Sequence, residues 1–341
     1  MQAVDSASMT YGSDLSGLVW AYAFEDGATR PIDTAAASTW LARAATQAPG
    51  HFIWLHFNLA NAASEKWLHA NMALPSEFFE ALHQGSPSTR IELAENTLVA
   101  VINDVRHDFA FEASDISTLW ISVAEQVVIS ARRAPLLSVE RLRQAVRHSA
   151  PIRSPVELLI HLLRDQADVL VAIVRDAVAR ADTVEDQLLA GRAHAKREEL
   201  GVLRRVLVRL RRLLAPEPAA LFRLLQRPPA WIGEGDSQEL RQSTEEFAVV
   251  LNDLSSLQER IKLLQEEIAA GINEQNSQSL YVLTSVTVLA LPINIIAGLL
   301  GMNVGGVPLA TDPGGFWIIA GIVIVFTVVA GLLLLRRKRK T

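Results

Sequence analysis

The chain has no cysteine in 341 residues, which excludes disulfides, thiolate metal sites and thiol nucleophiles. Catalytic signatures are missing as well. There is no Walker loop, GxSxG elbow, dinucleotide fingerprint or zinc-protease motif, so no enzyme activity, nucleotide hydrolysis or bound cofactor is expected. No basic stretch followed by an apolar run lies near Met1, so no cleavable signal peptide is expected. Charge is absent from two long runs, Leu280 to Leu300 and Phe316 to Leu335. Between Ser237 and Gly301 the only proline is Pro292.

What is there follows from those gaps. Hydrophobic residues make up 50% of the chain, and the surplus sits in the last stretch, after about residue 279. Each charge-free run is about 20 residues, enough at 1.5 Å per residue to cross a hydrocarbon core of about 30 Å. Two such runs joined by a short Gly/Pro-rich loop form a membrane hairpin. Directly after the second run come Arg336, Arg337, Lys338, Arg339 and Lys340, whereas residues 301–315 hold no Lys or Arg. The positive-inside rule therefore places the tail, and with it residues 1–279, on the cytoplasmic side of the membrane. The basic tail also suits contact with lipid headgroups. Residues 1–279 carry 27 basic and 36 acidic groups, a net of −9, a field that concentrates cations.

The segment ahead of the first span reads as one long helix with natural N-cap candidates at Asp236 and Ser237. Phe247, Val250, Leu254, Leu257, Ile261, Leu264 and Ile268 recur at alternating three- and four-residue steps, an apolar seam of coiled-coil type. Nearly opposite runs a mostly polar stripe of Asn252, Ser256, Glu259, Leu263, Glu266, Ala270, Asn273 and Ser277. Continued into the membrane, the same stepping gives Leu280, Thr284, Thr287, Leu291, Asn294, Gly298 and Gly301. An asparagine in hydrocarbon either pairs with another helix or lines water. Both readings stand on the stripe alone; its register with Glu259 and Glu266 favours a pore built from several copies around an axis.

After the first span comes Gly301-Met302-Asn303, followed by Val304-Gly305-Gly306-Val307-Pro308. A helix end rich in free carbonyls, with a neighbouring amide oxygen, offers neutral hard ligands to a hydrated cation. Gly-Met-Asn at this position, after a stalk helix and before a short loop, second span and basic tail, resembles the CorA family of metal-ion transporters. The longer string LPINIIAGLLGMNVGGVP is similar to the ZntB branch of that family, the zinc transport proteins.

The resemblance implies a CorA-like funnel: an α+β cytoplasmic domain with a long helical stalk and two C-terminal transmembrane helices, assembled as a homopentamer. It also implies a central pore lined by the first span, a selectivity ring at Asn303, and zinc as the cargo, coupled to a proton gradient. A magnesium, cobalt or nickel channel of the same fold is the alternative, and a membrane-tethered oligomeric sensor without transport is another. The chain departs from many family members in having Leu300, not an aromatic residue, before the motif. Its loop carries a single acid, Asp312, which with Glu259 and Glu266 makes the expected cation-attracting set.

In domain terms the sequence divides into an α/β part over 1–150, a helical region over 151–236 and a stalk over 237–279. These are followed by spans at 280–300 and 316–335, separated by the loop 301–315, and a tail at 336–341. Strands are expected at Leu18–Phe24, Phe52–Phe57, Leu98–Val105, Thr118–Val123 and Gln126–Ser130, and helices at Thr34–Thr46, Ala63–Met72 and Ser138–His148. Pro151 and Pro155 mark a boundary, beyond which helices are expected from Pro155 to about Ala190 and from Arg197 to about Leu214. The eight histidines all precede the stalk, and His107-Asp108 with Asp104 is the best cluster for a regulatory metal. The run LRRVLVRLRRLL, ending at Leu214, reads as a solvated, salt-bridged helix face, with no nucleic-acid partner expected.

Overall fold

The computed structural model describes residues 12–48, 50–84, 89–148, 151–190, 197–301 and 313–338. The first third builds a seven-stranded sheet from β1 (Leu18–Glu25), β2 (Ala28–Ile32), β3 (Phe52–Asn58), β4 (Arg90–Ala94), β5 (Thr97–Val105), β6 (Ile116–Val123) and β7 (Val127–Arg132). The order across the sheet is β2-β1-β3-β7-β6-β5-β4. All neighbours pair antiparallel except β3 and β7, where Ile53 opposes Val127 and Asn58 opposes Arg132 in parallel register. A three-stranded antiparallel group with β1 at its centre thus meets the meander β4–β7 at one central parallel seam, and the crossover between them carries helices, as parallel pairing requires.

Both sheet faces are buried, which explains why β3 and most of β5 are apolar without alternation. On one face Trp20, Trp54, Ile102 and Ile121 pack under α4 (Leu137–Arg147), the first turns of α5 (Pro155–Leu189), and α7 (Pro216–Gln226). On the other, Ile53, Leu55, Val101 and Trp120 pack under α1 (Thr34–Ala42), α2 (Ala63–Asn71) and α3 (Ser76–Gln84). Gly17 enters β1 at φ +84°, and a Cβ there would lie 1.9 Å from Ser64 Oγ, so only glycine fits.

Beyond the sheet the chain is helical. The α5 helix, α6 (Arg197–Leu214) and the first half of α8 (Glu234–Leu300) each bury an apolar stripe, including Leu170 and Ile173, Leu203 and Leu210, and Leu254 and Ile261. The seam expected on α8 is buried from Phe247 to Ile268, with one change: Leu251 is buried in place of Val250, which is half-exposed. Polar contacts flank the stripes. Arg260 of α8 binds Asp182 and Glu185 of α5, and Arg164 of α5 reaches Glu239 at 3.6 Å.

The N-cap expected at Asp236 or Ser237 is displaced, because α8 begins at Glu234 and Ser237 N already donates to Gly233 O at 2.9 Å. The Asp236 carboxylate instead accepts from Ser154 Oγ at 2.8 Å. Ser154 is itself the N-cap of α5, accepting from Glu157 N at 3.0 Å, so one hydroxyl ties two helix starts together.

The chain separates into two compact units between Gln265 and Glu266. The second contains the rest of α8 and the apolar helix α9 (Gly315–Lys338).

Candidate functional site: a polar stripe on the first span

The α8 helix continues without interruption for 67 residues, through the whole of the first charge-free run and past Pro292. Proline is tolerated there because the surrounding turns of a membrane helix can re-satisfy the freed carbonyl. Among the described residues, two helices are long and apolar enough to cross a membrane, α8 and α9. Their apolar side chains are exposed in the single chain, among them Leu283, Val286 and Ile295 on α8 and Ile322, Val325 and Phe326 on α9. A soluble helix buries such residues, so this surface belongs in lipid or against other spans.

Within that apolar surface the expected stripe is present and exposed: Ser277, Leu280, Thr284, Thr287, Leu291, Asn294, Gly298 and Gly301 all lie on α8 with solvent-facing positions, apart from Gly301, which is the first residue past its end. Thr287 Oγ1 donates its only hydrogen to Leu283 O at 2.9 Å, so its lone pairs remain outward as acceptors. An acceptor of that kind suits the hydrogens of a cation's water shell. Asn294 is exposed with no hydrogen-bond partner among the described residues.

The helix closes at Gly301, whose N–H donates to Ala297 O at 2.9 Å. A Cβ at that position would sit 3.1 Å from the same carbonyl, tighter than ordinary contact, which favours glycine at the turn. Met302, Asn303 and Asp312 lie outside the described residues. Of the two stalk carboxylates in the expected cation-attracting set, Glu259 forms an exposed pair with Lys262 at 3.0 Å, and Glu266 is exposed on the same stripe.

The expected metal cluster of His107, Asp108 and Asp104 does not form. Asp104 is buried, and its two oxygens accept from Val105 N, Ser138 N and Ser138 Oγ at 2.8 to 3.1 Å. Asp108 turns outward to a bidentate contact with Arg106 at 2.9 and 3.0 Å, and His107 is exposed. The strand explains this. Asp104 shares the face of β5 that lies under α4 and α5, whereas His107 and Asp108 follow the strand end. Among the described residues, no group of three or more His, Asp or Glu side chains is arranged to hold a metal.

Sequence reasoning overlooked a buried acidic patch near Asp104. Glu217, at the start of α7, is fully buried, with Gln166 Nε2 at 3.4 Å as its hydrogen-bond donor. Burial raises Glu217 to about 8 and Asp104 to about 6, against opposing hydrogen bonds from Gln166 and Ser138. Nothing local in the sequence marks either carboxylate as buried. The arginine run of α6 also differs from expectation. Arg204 and Arg211 donate to Gln265 and Gln258, and no carboxylate lies within ion-pair distance of Arg204, Arg205, Arg209, Arg211 or Arg212 among the described residues.

A family profile described as CorA-like Mg2+ transporter protein matches residues 49–339. The chain belongs to the CorA family. It is 29% identical over 275 residues to the divalent cation transporter CmaX of Pseudomonas aeruginosa, covering 79% of this chain and 82% of that one. It is 23% identical over 265 residues to the zinc transport protein ZntB of Pectobacterium atrosepticum, covering 77% and 80%. Among solved structures, full-length CmaX superposes with a TM-score of 0.78 at 26% identity, over 94% of this chain and 99% of that chain. The CorA magnesium transporter of Methanocaldococcus jannaschii superposes with a TM-score of 0.70 at 20% identity, over 94% and 98%, and supports the fold. The family resemblance carried by Gly301, Met302 and Asn303 thus agrees with a likeness that spans most of the chain.

Proposed function

We propose that this chain is the subunit of a homopentameric divalent-cation transporter of the bacterial inner membrane, with both termini in the cytoplasm. It moves cations and does not transform a substrate. The observation that carries the reading is the exposed stripe of Thr284, Thr287 and Asn294 on an otherwise lipid-suited helix. One hairpin encloses no path, whereas several copies with that stripe turned inward line a polar pore. Membership of the CorA family and the similarity to CmaX and ZntB support the same conclusion.

In this mechanism a hydrated cation is held at a ring of Asn303 amide oxygens, at the end of the pore away from the cytoplasm, and is drawn inward by a cytoplasmic domain of net negative charge. It then passes Asn294, Thr287 and Thr284, whose neutral acceptors bind its water shell weakly enough for release. The cargo is zinc, entering with an inward proton gradient, as the likeness of LPINIIAGLLGMNVGGVP to the ZntB branch suggests. A channel for magnesium, cobalt or nickel is the second reading. It is favoured by one feature: no Asp, Glu, Lys, Arg or His lies within either charge-free run to relay a proton.

The test is zinc entry into liposomes holding the purified protein, followed by a trapped indicator, with and without a pH gradient. Flux that rises with an inward proton gradient supports coupled zinc uptake. Flux indifferent to pH, or favouring magnesium, keeps the pore and rejects the coupling. Asn303→Ala should lower flux or relax selectivity at least tenfold while the oligomer persists; unchanged flux and selectivity would remove Asn303 from the filter. No flux of any divalent ion from an assembled oligomer would leave a tethered sensor as the function.

A further inference from the structure

Helices α6 and α8 flank an open groove of about 580 Å³, lined by Arg204, Arg205, Arg209, Arg212, Val208 and Gln265. Among the described residues its positive charge is unanswered, since no carboxylate lies within ion-pair distance of these arginines. Two further donors at this edge, Arg209 Nε and Gln258 Nε2, are buried without an acceptor. Buried donors left open call for an acceptor-rich partner.

The opposite edge of α8 has the reverse character. Arg260 is held there by Asp182 and Glu185 of α5. Asp186, one turn beyond Asp182, and Asp253, two turns before Arg260, are exposed and have no partner among the described residues. Four carboxylates thus accompany one guanidinium. Exposed Leu189 and Val249 supply apolar surface on this side, as exposed Val208 does in the groove.

The two edges are related through α8. At 3.6 residues per turn, the order around the helix is the apolar seam, the flank of Gln258 and Gln265, the polar stripe, and the flank of Asp253 and Arg260. They also share a height. Arg204 and Arg211 meet α8 at Gln265 and Gln258, and Asp182 and Glu185 meet it at Arg260, between those two levels. A cyclic ring of identical chains is closed by a heterologous contact between two different, mutually complementary patches at equal height. With the polar stripe turned to the axis, as in the function proposed above on which this inference rests, these two edges are the ones that neighbouring copies present to each other.

We propose that the arginine groove of α6 and α8 receives the carboxylate edge of α5 and α8 from the adjacent copy of this chain. Charge complementarity fixes the direction of travel around the ring and supplies acceptors for Arg209 and Gln258.

The absence of cysteine makes the test clean. The full-length double variants R205C/D186C and R209C/D182C are oxidised in detergent and run on non-reducing gels, with all four single variants as controls. Each double variant should give a ladder from the 37.3 kDa chain up to the complete ring, at least tenfold stronger than any single variant. A second arm measures ring content by native mass spectrometry. R205E/R209E should lower it severalfold, and adding D182R/D186R should restore it. A ring present at the native mass without ladder or rescue overturns this inference and leaves the transport reading standing. If R205E/R209E abolishes binding of inorganic phosphate to an intact ring that gives no ladder, the groove belongs to a free anion and the inference is also overturned. A wild-type chain that forms no ring overturns both readings.

Discussion

His56 accepts a hydrogen bond at Nε2 from Arg132 Nε, 3.1 Å away in the sheet interior. A guanidinium has only donors, so the imidazole must carry its proton on Nδ1, which donates to Ser130 Oγ at 2.7 Å. Trp20 stacks on the ring at 4.1 Å. Burial, then the charges of Arg132 and Arg143, hold His56 well below the usual histidine range.

His56 is therefore expected to remain neutral, with its carbon-proton NMR shifts flat between pH 5 and 8. Because the unfolded chain takes up a proton there and the folded chain does not, His56 makes stability fall as pH drops below about 6.5. His56→Ala leaves Arg132 buried without its acceptor and should cost ~3 kcal/mol, read as a lower urea midpoint. A normal midpoint would mean that the guanidinium finds another partner.

Glu217 gives the opposite pH dependence. Its carboxyl is protonated in the fold up to about 8, whereas an unfolded glutamate loses its proton near 4.5. Stability from this group is full below the unfolded value and is lost as pH rises through the folded one. Over about 3.5 pH units, at about 1.4 kcal/mol per unit, the loss is on the order of 5 kcal/mol. Glu217→Gln keeps a neutral side chain and should flatten the curve between pH 5 and 8. A variant as pH-sensitive as the wild type would place the dependence elsewhere.

Gly17→Ala is expected to be severe. The backbone is at φ +84°, and the new Cβ would meet Ser64 Oγ, whose hydroxyl donates to Asn58 O at 2.6 Å. Strain and displacement of a buried hydrogen bond together should cost ~3 kcal/mol or more. Ser64→Ala in the same chain should rescue little, since Ser64 Cβ would still lie 2.9 Å away. Full rescue would show that the hydroxyl alone was the obstacle.

Asn294→Leu separates a pore from a packing surface. If Asn294 faces the ion path, flux should fall at least tenfold while the oligomer stays intact. Thr287→Val should act in the same direction more weakly, since Thr287 spends its donor on Leu283 O and offers only lone pairs. Loss of the oligomer with both substitutions would assign the stripe to helix packing.

Much of this architecture is legible in the residues. The central strands β1, β3, β5, β6 and β7 are dense in Val, Ile and aromatic residues and lie close to the expected ranges. Less legible are β2 and β4, which occupy the two edges of the sheet. Edge strands keep polar residues, and β2 contains Pro31, whose missing N–H is tolerated only where a ladder ends. The helix over Pro216–Gln226 is not among the expected ones, the last of which before the stalk ends at about Leu214; Pro216 and Pro218 open α7, where a proline costs no hydrogen bond. The stripe from Ser277 to Gly301 was visible because helical periodicity is local. The fates of Asp104, Glu217 and the α6 arginines were not, because burial and pairing depend on segments far away in sequence.

The one parallel seam of the sheet has a consequence for synthesis. As the chain emerges, β1, β2 and β3 can pair locally, but β3 has no second neighbour until β7 arrives, some 70 residues later. During that interval the edge of Phe52–Asn58, FIWLHFN, offers unpaired backbone and large apolar side chains to any other strand it meets. A ribosome stalled between these points holds an aggregation-prone intermediate, so chaperone demand should concentrate there and end once Arg132 has cleared the exit tunnel.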